Sequence, residues 1–196
     1  MESETSRPCL AFSESKKIAS GGIAEVAILV KEHLKKHPSS NVLIFDRYSS
    51  DQIEVDLRGS REAILRRLEA LSPPRNEPEA KGGPGRPKLG VIAREVTLLP
   101  QHWEWLGLQP GGASATLRKL VESAKKKNHA KDEIRRSQNA VYKFMTVMAG
   151  DAPGYEEALR ALYAQERDRF ITLVAAWPKD IRDHIRELSK EAFGKD

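Results

Sequence analysis

The stretch that most limits this chain is Ser72–Pro87, where Pro73, Pro74, Pro78, Pro84 and Pro87 stand among Gly82, Gly83 and Gly85. Proline has no backbone N–H to donate, and glycine resists ordering. A run this dense sustains neither a helix nor a strand ladder and reads as an extended linker. It divides the 196 residues into a part before it and a part after it. The expected organisation is a small domain over 1–72, a Pro/Gly-rich basic linker over 73–90, a strand-helix-turn-helix segment over 91–127 and a helical bundle over 128–196.

Before the linker, Cys9–Phe12 reads as a strand. Ser20-Gly21-Gly22 opens a helix in which Ile23, Val26, Ala27, Val30 and Leu34 recur at helical spacing. Val42–Phe45 is a short buried strand. Ile53, Val55 and Leu57 alternate with Glu54 and Asp56, as in a half-buried strand. Gly59-Ser60 caps a helix with Ala63, Ile64, Leu65, Leu68 and Leu71 on its apolar face. This βαββα order, with helices after the linker, predicts an α+β fold. Ser20-Gly21-Gly22 lacks a P-loop lysine or a GxGxxG frame, so it reads as an ordinary helix start and not a phosphate cradle.

After the linker, Pro100 opens a short aromatic helix at its first position. Trp103 is expected in the core, Trp105 at an interface, and His102 towards solvent. Gly111-Gly112 breaks the chain and Ser114 is a good N-cap. The next helix has Leu117, Leu120, Val121 and Ala124 as its expected buried stripe, and runs on through basic residues into Val141, Phe144, Met145 and Met148. Methionines at that spacing are core filler. Tyr155–Tyr163, Arg167–Ala176 and Lys179–Phe193 follow as helices of a bundle.

The charge is uneven. Residues 81–136 hold 12 Lys/Arg against 5 Asp/Glu, whereas residues 1–72 are balanced at 11 each. The excess that gives the chain its net charge of +5 therefore lies in the middle, as expected of a region that binds a polyanion. A solvated basic helix is the competing reading. Within the linker, Gly85-Arg86-Pro87-Lys88 is similar to the Gly-Arg-Pro core of an AT-hook, although Pro84 stands where a full hook carries a second Arg. A thin extended backbone lets an Arg enter a narrow minor groove.

Val91–Leu99, Pro100–Leu108 and Ser114–Lys126 match, in order and length, ribbon-helix-helix DNA-binding domains, which pair a strand across a dimer. The middle segment therefore resembles that fold. The resemblance implies double-stranded DNA as partner and a homodimer. Its register stays open: counting back from Leu99 turns Glu95 inward, and counting from Leu98 turns Arg94 inward. On this reading Arg86 and Lys88 reach a groove, and Arg94 and Thr97 read from the strand. Arg118, Lys119, Lys125, Lys126 and Lys127 hold phosphates, and Val96, Leu98 and Trp105 form the interface. At larger scale, GRPKLGVIAREVTLLPQHWEWLGLQPGGASATLRKLVESA, with ASGGIAEVA, VLIFD, YKFMTVMAGDAPGYEEALRALY and WPKDIRDHI, resembles a bacterial family filed as domain of unknown function 2239. That resemblance implies no activity.

Other chemistry has little foothold. The single Cys9 excludes an internal disulfide and a multi-cysteine zinc site. His33 and His37 stand four apart, but Lys35 and Lys36 would repel a cation, so no metal or cofactor is expected. Asp180, Asp183 and His184 cluster in sequence, and helix capping or surface pairing accounts for them. No apolar stretch approaches membrane-helix length, and the polar N-terminus lacks a signal-peptide core, so a cytoplasmic protein is expected. The leading functional reading is a DNA-binding, regulatory protein. A non-catalytic protein-interaction or dimerisation module is the alternative, and an enzyme of unknown class the third.

Overall fold

The structure is a computed structural model that describes residues 8–71, 92 and 94–194. The fold is α+β. The chain divides into two compact units: residues 1–73 together with 130–196, and residues 74–129.

The first unit is organised around strand β1, Pro8–Ser13. It forms an antiparallel hairpin with β2, Lys16–Gly22, through a turn in which Glu14 takes φ 51°. On its other side β1 pairs antiparallel with β3, Val42–Asp46, giving the order β2-β1-β3. Successive side chains of a strand point to opposite faces. Leu10 and Phe12 accordingly enter one hydrophobic cluster with Phe45, while Cys9 and Ala11 enter another with Ala19 and Ile44. Both faces of β1 are covered, which is why four consecutive residues of PCLAFS are buried.

Helix α1, Ile23–Lys36, covers the Cys9/Ala11 face with Val26 and Val30. Its Ala27 and Ile28 meet Ile64 of α2, Arg61–Leu71. Ser60 caps α2 as expected, with Oγ accepting the Ala63 N–H at 3.3 Å. The opposite sheet face is covered by the C-terminal half of the long helix and by three short helices. These are α4, Gly112–Ala149; α5, Tyr155–Tyr163; α6, Arg167–Val174; and α7, Lys179–Leu188. Phe12, Phe45 and Phe144 meet with ring centroids 5.2–6.3 Å apart, the range of tilted and edge-on aromatic pairs. Around them pack Met145, Leu162, Phe170, Val174 and Ile185. Trp177 closes the far end, donating its indole N–H to the Pro153 carbonyl at 2.9 Å. Described residues before the linker and after residue 140, read as parts of separate domains from sequence, thus share one core.

Ser20-Gly21-Gly22 opens α1 as expected, with Gly22 as its N-cap, and the same residues also end strand β2. Two local expectations need correcting. Residues 53–57 keep the expected alternation of burial but form no strand: pairing stops at a bridge between Phe45 and Gln52 and the Ile53 N–H to the Ile44 carbonyl. Beyond it side chains take the carbonyls instead. Lys31 Nζ reaches Leu57 and Gly59, and Arg67 Nη2 reaches Asp56 and Arg58. The last helix stops at Leu188 and tightens into a 3-10 turn, Ser189–Glu191, that still buries Ala192 and Phe193.

In the second unit, α3 is Pro100–Gly107. Leu99 is its N-cap in extended backbone, and the Leu99 carbonyl accepts the N–H groups of His102 and Trp103. The chain then turns through Gly111 and Gly112, at φ 88° and 72°, into α4. That left-handed backbone strains an L side chain, and a Cβ on Gly111 would lie 3.2 Å from that of Ala115. The helix therefore begins at Gly112, two residues before the expected cap Ser114.

Candidate nucleic-acid interface

The candidate residues fall in three places. Arg86 and Lys88, the groove-reaching arm, lie outside the described residues. Arg94, Val96 and Thr97 are exposed on residues 94–99 before α3, and Leu98 is half-buried. These residues form no strand in the single chain. The pairing expected of them runs across a homodimer and takes a second chain. Arg118, Lys119, Lys125, Lys126 and Lys127 stand exposed on α4.

The helix sorts these charges. Residues seven apart return to nearly the same side after two turns, so Arg118 aligns with Lys125 and Lys119 with Lys126. Lys127 falls on the flank. Across residues 112–129 five Lys/Arg face a single acid, Glu122. None of the five makes an ion pair with a described residue. The opposite side carries Leu117, Leu120, Val121 and Ala124. This stripe, expected to be buried, is largely open: Leu120 is 48% and Val121 62% exposed.

The same holds along the unit. Ile92, Val96, Leu99, Trp103, Trp105 and Leu108 are 43–84% exposed, and Leu106 is the one large hydrophobic buried among its described residues. Trp103, expected in the core, is as open as Trp105, because a helix of eight residues has too few neighbours here to cover two indoles. His102 faces solvent as expected.

Elsewhere the residues considered for chemistry are engaged structurally. Asp180 Oδ2 accepts the Lys17 N–H at 2.9 Å, pinning the outer edge of β2. Asp183 pairs with Arg182. His184 is 3% exposed, its ring edge-on to Phe144 at 4.6 Å and tilted to Phe12 at 6.1 Å. Its Nε2 has no hydrogen-bond partner, and burial pushes its pKa down to about 4 against a pull upward from Glu187. The imidazole is therefore neutral core material at neutral pH. His33 and His37 lie ring to ring at 4.7 Å, and His33 Nε2 meets Ser13 Oγ at 3.2 Å. Among the described residues no three or more His, Cys, Asp or Glu come together as metal ligands, and no helix is long and apolar enough to cross a membrane.

Sequence reasoning missed one feature with functional character, the loop Asp46–Gln52. Asp46 Oδ1 accepts the N–H groups of Tyr48 and Ser49 at 3.0 and 2.9 Å, and Ser50 sits at φ 56° with its hydroxyl buried. The turn-rich composition was visible, but no residue type signals that one serine is strained. Neither a curated protein nor a solved structure matches the chain. Residues 8–189, from the first strand through the end of the last helix, match the family described as an uncharacterised protein conserved in bacteria, domain of unknown function 2239, and the chain belongs to that family.

Proposed function

We propose that the chain is a DNA-binding, regulatory protein of the bacterial cytoplasm that grips duplex DNA through residues 86–127 and works as a homodimer. The observation that carries this reading is the two-sided character of α4 over residues 112–129. Arg118, Lys119, Lys125 and Lys126 line one side without a described acidic partner, and Leu120 and Val121 lie open on the other. Cations spaced along a helix exchange condensed counterions for phosphates, a favourable step at low salt. The apolar side needs cover. Eight large apolar side chains at 43–84% exposure offer on the order of 800 Å² per chain, the size of one partner's share in a standard stable interface. A second copy supplies the same area, and Val96, Leu98 and Trp105 would lie within that contact. Arg94 and Thr97 would then face the duplex, with Arg86 and Lys88 in the adjoining groove.

The test is fluorescence anisotropy of random and A·T-rich duplexes at two salt concentrations, with sedimentation to count chains. Tight binding that weakens steeply with salt is expected. Lys119→Ala with Lys126→Ala should lower the salt slope by about 2, near 0.9 for each lost phosphate contact. Absence of binding at low salt overturns the reading. The exposed apolar residues favour a second one, a dimerisation or protein-interaction module without nucleic acid. It stands if sedimentation gives a dimer that Trp105→Ala with Val121→Asp dissociates while DNA has no effect.

A further inference from the structure

The loop Asp46–Gln52 is more constrained than a plain connection from β3 requires. The Asp46 N–H donates to the Asp51 carbonyl at 2.9 Å, the Ser50 N–H to the Asp46 carbonyl at 3.1 Å, and Ser49 Oγ to Asp51 Oδ2 at 2.8 Å. These bonds hold Ser50 in the left-handed region, unfavourable for a residue with a Cβ. Ser50 is only 2% exposed, and its hydroxyl oxygen is buried without a hydrogen-bond partner. A strained residue with an unsatisfied buried polar atom is a feature that folds tolerate where a site needs it.

The loop lies between two adjoining grooves of the first unit, of about 630 and 310 Å³, which share Lys143 of α4. Arg47, Tyr48 and Ser49 line the first, and Ser50, Asp51 and Gln52 the second. Both sizes fit a small molecule. The grooves hold four Lys/Arg and four Asp/Glu, so they carry no net charge. Two of the pairs are closed, Arg47 with Glu187 and Lys143 with Asp51, both at 2.6 Å. Closed pairs keep spare donors and acceptors without attracting an ion. Asn139 and Gln52 add uncharged donors and acceptors, and Tyr48 and Tyr142 are 71% and 42% exposed.

We propose that the Asp46–Gln52 loop and the facing residues 136–147 of α4 form a binding site for a neutral, polyhydroxylated ligand the size of a mono- or disaccharide. The apolar face of a sugar ring covers a tyrosine. Its hydroxyls both donate and accept, as the closed ion pairs demand. A polyanion finds no net attraction here, so the site is distinct from the basic residues of the second unit and independent of the DNA reading.

The experiment is saturation-transfer NMR and calorimetry on the full chain. The probes are glucose, galactose, mannose, N-acetylglucosamine, maltose and cellobiose at millimolar concentration, with inorganic phosphate and glycine as comparison arms. Binding of at least one sugar is expected. Tyr142→Ala and, separately, Gln52→Ala should weaken it about tenfold, the effect of one lost contact or hydrogen bond. Both residues are exposed, so the variants stay folded. The proposal is overturned if no sugar binds, if phosphate or glycine binds in their place, or if sugar binding survives Tyr142→Ala unchanged.

Discussion

Lowering the pH should destabilise this protein through His184, by an amount the structure allows one to work out. In the folded chain the imidazole is buried against Phe12 and Phe144, and desolvation, the largest influence, sets its pKa at about 4. Lys17 and Arg47 push the same way and Glu187 opposes them. In the unfolded chain the pKa returns to about 6.5. Between these values the unfolded chain binds the extra proton, so stability rises with pH. The contribution is fully present above about pH 6.5 and is lost as pH falls towards 4. The whole gap corresponds to ~3 kcal/mol, of which about 2 is gone by pH 5. The assay is urea unfolding at a series of pH values for the wild type and for His184→Leu, which fills the same space without a titrating group. Other carboxylates titrate in both proteins and cancel in the difference. The stability difference should narrow in favour of the variant by about 2 kcal/mol between pH 7 and pH 5. Parallel pH profiles would refute a neutral imidazole held in the core.

Further outcomes follow from particular contacts. Phe144→Ala should cost about 3–5 kcal/mol in urea unfolding, because the ring is fully buried where the sheet meets the C-terminal helices. Ser50→Gly should stabilise by up to about 1 kcal/mol, since glycine relieves the left-handed strain and removes an unsatisfied hydroxyl. An unchanged midpoint would show that the hydroxyl or the strain is compensated. Asp46→Ala should cost about 1–2 kcal/mol, as the Tyr48 and Ser49 N–H groups lose their acceptor.

The helices were legible because their signals are local. Ile23, Val26 and Val30 mark α1, Ser60 caps α2, and Gly150–Gly154 separates α4 from α5. Strand β2 was not, since KKIASGG has neither alternation nor β-branched density and is held by pairing with β1. Residues 53–57 misled in the opposite sense. Their alternation is real, but it comes without a ladder, and Lys31 and Arg67 take the Leu57 and Asp56 carbonyls at its end. The core shared by Phe12 and Phe144 links residues far apart in sequence, and no periodicity reports that. One clue was present: Cys9–Phe12 is an unbroken apolar run, as strands covered on both faces show. In the candidate interface, charge and helical spacing gather Arg118, Lys119, Lys125 and Lys126 on one side of α4, where they are exposed. These signals could not tell that the apolar side would remain open, because burial depends on what comes to meet a helix.

The two-faced burial of β1 also sets a schedule for synthesis. The first strand can pair with β2 and receive α1 early, yet Leu10 and Phe12 have no cover until residues 141–193 exist. At ~5–20 residues per second, that leaves an apolar sheet face waiting roughly 10–40 s on the ribosome. The middle residues are translated during this interval as a long excursion between two halves of one unit. A chain truncated anywhere in that excursion would leave one face of the sheet uncovered, whereas a substitution confined to the excursion leaves the timetable of the core untouched.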